Sequence, residues 1–311
     1  MQNDALRLAY QSILAEPVAT ALTPVDISVI VPVFRDVERL GGCVQALRRG
    51  RAPAHRYEVI VVNNDPEHAI QPGEWGSGVT FLECAIPGSY AARNTGARHA
   101  RGRVLAFTDS DCVPADDWII RLLEHFGGHP ETDLVSGSVE PFRVRGGRMS
   151  AVEAYDLAVG FDSKRYASKS TGVTANLAVR REAFDRVGGF DATVRSGADT
   201  AFCRAVVGSG GRFVFLQDAV VNHPVRFEWS EVANKRRRIA GGKLGSSSGR
   251  MRAFALLSAI AFPVNQWRFI ARSRRLSVAQ KVAAAGAAIV LKWVQFAETI
   301  RLVAGRGVAR R

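Results

Sequence analysis

Apolar, β-branched runs recur through the first half of the chain: Ile27–Val33, Tyr57–Val62, Val79–Cys84, Val104–Thr108 and Leu134–Val139. Helical stretches such as Arg39–Arg49 and Ala91–Ala100 separate several of them. Strands alternating with helices predict an α/β fold whose sheet has parallel neighbours. Runs such as Ile-Ser-Val-Ile-Val are apolar on both faces, which predicts strands covered on both sides. In sheets of this kind ligands bind at the carboxyl ends of the strands, and the polar residues of interest fall there.

Three segments follow from the pattern. Residues 1–25 read as a short helix and a linker ending near Pro24, 26–225 as the main α/β domain, and 226–311 as a basic amphipathic helical tail. Within 140–225 the signals are mixed. Gly146-Gly147 and Ser168–Gly172 mark loops, Gly188-Gly189 ends a helix at Arg180–Val187, and Phe213–Leu216 reads as a late strand. Ser246–Gly249 is a joint within the tail.

Charge divides along the same line. Residues 226–311 carry 18 Lys and Arg against 3 Asp and Glu, while 1–225 carry 24 against 26. An excess confined to the tail points to a polyanionic partner, either a nucleic acid or an anionic membrane. The four cysteines, Cys43, Cys84, Cys112 and Cys203, form no C-x-x-C pair and have no histidine cluster. That argues against a zinc site or a disulfide framework and for reduced thiols in the cytosol. Arg7, Glu16 and Pro17 interrupt any apolar core of a secretory signal. No stretch supplies the roughly 18 consecutive apolar residues of a spanning helix.

The strongest local signal is Asp109-Ser110-Asp111, directly after the strand Val104–Thr108. On extended backbone two carboxylates at this spacing face opposite ways, and a turn can split their roles. A divalent cation with hard oxygen ligands takes one or two carboxylates plus substrate phosphates. A solvated turn after a strand has the same sequence, so the spacing alone leaves both readings open.

The order of the motifs resembles glycosyltransferase family 2. Ile27-Ser-Val-Ile-Val-Pro-Val-Phe34 is similar to that family's first strand and nucleotide loop, and Tyr57–Asp65 to its second strand. Pro87–Ala97 resembles its Ala-Arg-Asn-x-Gly helix and Gly102–Asp111 its D-x-D strand. Asn176–Phe184 with Val187–Asp191 resembles the acceptor-side segment, and Gly197-Ala-Asp-Thr200 the catalytic motif after it. The resemblance covers roughly 26–225. It implies a GT-A fold with a Rossmann-like central sheet, a nucleotide-diphosphosugar donor, Mn²⁺ or Mg²⁺, and inversion at the anomeric carbon.

Carried over residue by residue, the resemblance makes Asp111 the metal ligand and Asp109 a contact to the donor ribose or sugar. Pro32, Val33, Phe34, Asn64 and Asp65 fall to donor binding. Arg93 holds the diphosphate, orients Asp109 or makes a purely structural salt bridge. Asp199 is the candidate general base, a role compatible with capping the helix Thr200–Val207. His223 is a second candidate metal ligand, as in some relatives. Two departures stand out. Ala198 replaces the family's usual Glu, and Asn64 stands where an Asp often contacts the base, which leaves the base unidentified.

Lys235-Arg-Arg-Arg238 resembles a basic motif that reaches toward the diphosphate in relatives; as a sequence it also reads as a solvated charge run. Ala253–Phe262 and Val282–Leu291 are apolar runs of about ten residues, flanked by Arg250, Arg252, Arg268, Arg272, Arg274 and Arg275. With Trp267 and Trp293 as anchors, such segments suit helices lying in a membrane interface. A helical hairpin packed on protein is the other reading. The expected partners are a nucleotide sugar, a glycan or lipid-linked acceptor for cell-envelope synthesis, and the inner face of the cell membrane; nucleic acid is not expected. Two other function classes compete. A nucleotidyltransferase would want a Gly-rich, basic phosphate loop, and Pro32-Val-Phe-Arg35 does not look like one. A non-catalytic basic module for membranes or nucleic acids would not require Asp109, Asp111 and Asp199.

Overall fold

The computed structural model describes residues 25–53, 56–65, 67–70, 78–194, 196–245 and 263–304. The expected N-terminal helix, the Ser246–Gly249 joint, Arg250, Arg252 and the whole of Ala253–Phe262 lie outside the described residues. The chain divides into two compact units: Met1–Val139, Ser163–Ala192 and Asp199–Asn222 form one, and Glu140–Asp162, Thr193–Ala198 and His223–Arg311 the other.

The first unit is built on a sheet of order β3-β2-β1-β4-β7-β6-β8-β5. β1 (Ile27–Val33) is buried along its whole length. It runs parallel to β2 (Tyr57–Asn63) and to β4 (Val104–Phe107), and β2 runs parallel to β3 (Val79–Glu83). Between them come α1 (Val37–Arg49) and α2 (Ser89–His99). Gly96 lets α2 lie directly on β1, since a Cβ there would come within 2.5 Å of Ile30 Cγ2.

Beyond β4 the pairing changes hand. After β5 (Val113–Pro114) and α3 (Trp118–Gly128), β6 (Thr132–Phe142) pairs antiparallel with β7 (Leu177–Arg180), which pairs antiparallel with β4. β8 (Arg212–Pro224) pairs antiparallel with β5. Parallel neighbours are thus correct for half of the sheet only. Four-residue β7 leads straight into a helix, so its alternation is too short to register, and the expected late strand Phe213–Leu216 is a fragment of the much longer β8.

Asn176, beside β7, ties these strands together. Its amide donates to the carbonyls of Ser138 and Ala219, and its carbonyl accepts from Trp118 Nε1 at 2.9 Å. An aromatic cluster of Phe107, Phe184, Phe190 and Phe202 fills the space behind β4, with Phe190 and Phe202 centroids 4.5 Å apart.

In the second unit, Glu140–Asp162 supplies α4 (Ala151–Val159), started by a Ser150/Glu153 capping box. In the first unit, short α5 (Ser163–Ala167) precedes β7, α6 (Arg181–Arg186) follows it, and α7 (Ala198–Gly208) precedes β8. The tail forms α8 (Trp229–Gly245), α9 (Val264–Arg272) and α10 (Val278–Val303). Ala284, Ala287, Ala288 and Leu291 of α10 bury against Val152 and Tyr155 of α4, Val232 of α8 and Ile270 of α9. The apolar run Val282–Leu291 therefore belongs to a 26-residue helix that is long and apolar enough to cross a membrane. The sequence reading missed that length because Lys281 and Lys292 bracket the run. One face of α10 is spent on the core. The other leaves Val282, Ile289, Val290, Trp293 and Ile300 exposed, with Trp293 65% accessible.

Candidate active site

β4 ends at Phe107, and the next residues close a turn in which Cys112 N–H donates to the Asp109 carbonyl at 3.0 Å. Because the extended backbone stops before Asp109, the alternation expected of a strand no longer holds. The turn folds Asp109 and Asp111 toward each other instead, and with Cys112 they offer ligand atoms within 4.8 Å of one another.

Cys112 is buried beside this pair. Burial pushes its thiol well up, and Asp109 and Asp111 push it further. It stays protonated and sits as a donor 3.8 Å from Asp111 Oδ1. The two carboxylates offer hard oxygen ligand atoms.

Arg93 is buried on α2 and forms an ion pair with Asp109, its guanidinium also lying 5.7 Å from the Tyr90 ring. That ion pair fits both the orienting and the structural readings of Arg93. Asn94, the next residue, clamps the main chain of Phe190, accepting from its N–H and donating to its carbonyl.

Asp199 is the second residue of α7, two after Gly197, which adopts a φ of 91°. Its carboxylate accepts from Thr200 N–H at 2.8 Å. Burial pushes its pKa up; the Thr200 bond and Arg93 act in the opposite sense, and Asp109 adds to the rise. The net direction is upward. The Arg93 charge thus acts on both acids, Asp109 and Asp199.

Pro32 and Val33 lie within β1, and Asn64 N–H donates to the Val33 carbonyl. Phe34 is 54% exposed, next to Arg35, which adopts a φ of 56°. The Asn64 side chain is committed to the chain itself. Its amide donates to the carbonyls of Cys84 (2.8 Å) and Ile86 (2.7 Å), and its carbonyl accepts from Gly88 N–H. Asp could not make the two donations, which accounts physically for Asn at a position where the family often has Asp. Asp65 is also engaged, by Arg35 Nε and His68 Nδ1, and Arg35 holds its carboxyl below the ordinary value.

His223 belongs to the second unit, at the end of β8. It is buried, its ring 4.7 Å from Phe161 and its Nδ1 2.7 Å from the Pro224 carbonyl. That carbonyl needs a donor, so Nδ1 carries a proton.

The family description "Glycosyl transferase family 2" fits residues 28–188, just over half of the chain. The chain belongs to glycosyltransferase family 2. Glycosyltransferase AglE of Haloferax volcanii is 33% identical over 225 residues, covering 70% of this chain and 73% of that protein. The pre-mycofactocin glycosyltransferase of Mycobacterium tuberculosis is 27% identical over 210 residues, covering 65% of this chain but 43% of its own length. Among solved structures, the mannosyltransferase PcManGT from Pyrobaculum calidifontis, in complex with GDP-Man and Mn²⁺, superposes with a TM-score of 0.58. It covers 98% of this chain and 96% of that chain at 19% identity, and the fold of this family 2 enzyme is GT-A.

The sequence reading missed two contributors to the site. Cys112 lies beside Asp111 at the D-x-D turn, and Thr174 contributes a backbone hydrogen bond to Asp199. Neither has a sequence signal of its own, because burial in one case and a main-chain group in the other do the work.

Proposed function

We propose that this family 2 enzyme transfers a sugar from a nucleotide-diphosphate donor to an acceptor hydroxyl with inversion at the anomeric carbon. The observation that carries the reading is one buried cation, Arg93, that acts on both Asp109 and Asp199, with Asp111 brought beside Asp109 by the turn after β4. Asp111 is the proposed ligand for Mn²⁺ or Mg²⁺. Bound there, such a cation would neutralise charge on the diphosphate leaving group. Asp109, held by Arg93, orients the donor, and Pro32, Val33 and Phe34 lie in the proposed nucleotide loop. Asp65 contributes to that loop through its bonds to Arg35 and His68, and Asn64 through its struts to Cys84 and Ile86.

In the single displacement the acceptor oxygen bonds to the anomeric carbon while the bond to the diphosphate oxygen breaks. The acceptor proton passes to Asp199. A carboxyl with a raised pKa is better matched to taking that proton near neutral pH than an ordinary aspartate. Tail charge and the unpartnered apolar face of α10 support an acceptor that is lipid-linked and met at the inner membrane face.

The test is a panel of UDP-, GDP- and dTDP-sugars with Mn²⁺, first by thermal shift, then by turnover on lipid-linked acceptors with the product's anomeric configuration read by NMR. An inverted product supports the reading, and a retained one overturns it.

A further inference from the structure

The second unit holds more positive charge in its interior than its acids balance. Asp156 of α4 is buried and faces two cations, Arg226 at 3.5 Å and Lys235 of α8 at 3.7 Å, and it accepts from Arg226 N–H at 3.0 Å. One residue along each helix, the Arg236 guanidinium lies over the Tyr155 ring at 5.3 Å. Glu153 and Glu228 do not offset these cations, since Arg143 and Arg145 already pair with them. Three cations, Arg226, Lys235 and Arg236, therefore meet at the Tyr155-Asp156 pair.

Two buried polar atoms at this place also lack a hydrogen-bond partner among the described residues: Tyr155 Oη and Arg226 Nη1. Tyr155 is 2% exposed, and a phenol buried without a partner costs stability that phenylalanine would not. Arg236 shows the same imbalance: burial alone acts on it and pulls its pKa down to about 10. A buried phenol without a hydrogen-bond partner, a guanidinium nitrogen held only by a long ion pair to Asp156 and a desolvated guanidinium over the Tyr155 ring form the donor set of an absent anion.

We propose that Arg236, Tyr155 and Arg226 bind a phosphate group carried on an apolar chain, the anionic head of a lipid-linked acceptor. The apolar part of the argument comes from the same unit. α10 packs on α4 and α8 through its alanine face and leaves the face of Val282, Ile289 and Trp293 exposed. An anion site and a bare apolar helix face in one unit match the two halves of a lipid phosphate. The proposal rests on the lipid-linked acceptor reading above and adds to it the residues that recognise the head group.

The test measures binding to the full-length enzyme in detergent micelles, with three probes: a polyprenyl monophosphate, the matching polyprenol and inorganic phosphate. Wild type is expected to bind the polyprenyl phosphate more tightly than either of the others. Arg236→Gln should weaken that binding by roughly tenfold or more, as loss of a hydrogen bond to a charged group does. Tyr155→Phe should weaken it by a smaller factor while leaving the melting temperature unchanged or higher; this isosteric change keeps the test valid even if Arg236→Gln fails to fold. Nucleotide-diphosphate affinity with Mn²⁺ should be unchanged in both variants. Unaltered polyprenyl-phosphate affinity in both variants overturns the proposal. So does a loss that appears in nucleotide affinity instead, which would assign the cluster to the donor. Equal affinity for inorganic and polyprenyl phosphate would overturn the lipid part. The assay reads binding without transfer, so failure of the proposed reaction would leave its result intact and be seen separately.

Discussion

Arg93 on α2 is ion-paired with Asp109, at the turn that follows β4, and the same guanidinium acts on Asp199 at the start of α7. One buried cation therefore sits between the acid assigned to the donor and the acid assigned to the acceptor proton. Asp109 and Arg93 act on Asp199 with opposite sign, so the two residues set the proton affinity of the proposed base between them.

That arrangement predicts opposite pH shifts for two substitutions. Arg93→Gln removes a charge that lowers the Asp199 pKa, so the acidic limb of kcat/KM should move to higher pH. Asp109→Asn removes a charge that raises it, so the limb should move to lower pH, in an enzyme that also binds donor less well. pH profiles of the two variants check this; limbs that stay in place or move together would remove Asp199 from the base role.

Asp199→Asn should spare donor binding and lower turnover by about a hundredfold or more, as loss of a general base does. Stability should move the other way. Burial raises the folded pKa of Asp199 above its unfolded value, so ionisation penalises the folded state as pH climbs through that interval. The penalty is absent below the unfolded pKa and complete above the folded one. Asp199→Asn should therefore melt no lower than wild type at pH 7. Calorimetry at that pH, paired with turnover, separates a catalytic acid from a structural one.

Asn64→Asp should destabilise the fold by about 2 kcal/mol or more, because a carboxylate would face the Cys84 and Ile86 carbonyls in place of two donated hydrogen bonds. Chemical denaturation measures it. A variant as stable as wild type would show that the strut is dispensable and the position free to read a base.

Much of this was legible in the chain. The β1, β2 and β4 runs and the helices between them register as continuous apolar stretches and 3.6-residue periods, and Gly188, at a φ of 78°, follows α6 as expected. Asp109, Asp111 and Asp199 were legible as motifs in order. The antiparallel half of the sheet was not, because β7 has four residues and β5 two. Nor was the convergence of Asp109 and Asp111, which depends on where β4 stops. The role of Asn64 was hidden because its partners, the Cys84 and Ile86 carbonyls, are main-chain groups that no side-chain identity reports. α4 went unseen within mixed composition, and with it the Tyr155-Asp156 pair that meets the basic motif of α8.

Membrane attachment should follow from the exposed face of α10 and the exposed arginines of and beside α9, Arg268, Arg272, Arg274 and Arg275. Each such cation near an anionic leaflet contributes roughly 1 kcal/mol, screened by salt. The full-length protein should co-sediment with anionic vesicles, less with neutral ones and less again in high salt. Replacing Val282, Ile289 and Trp293 together with Ser should release it. Full-length protein that ignores anionic vesicles at low salt would contradict the membrane reading.

The central claim is that the Asp109-Ser110-Asp111 turn binds a nucleotide-diphosphate donor through a divalent cation. Titration calorimetry of UDP and GDP, with and without Mn²⁺, on wild type and Asp111→Asn tests it most directly. The account predicts that wild type binds one of the two nucleotides tightly only when Mn²⁺ is present, and that Asp111→Asn loses this metal-dependent affinity while melting at the wild-type temperature in metal-free buffer. An Asp111→Asn variant that binds nucleotide and Mn²⁺ as tightly as wild type would contradict it.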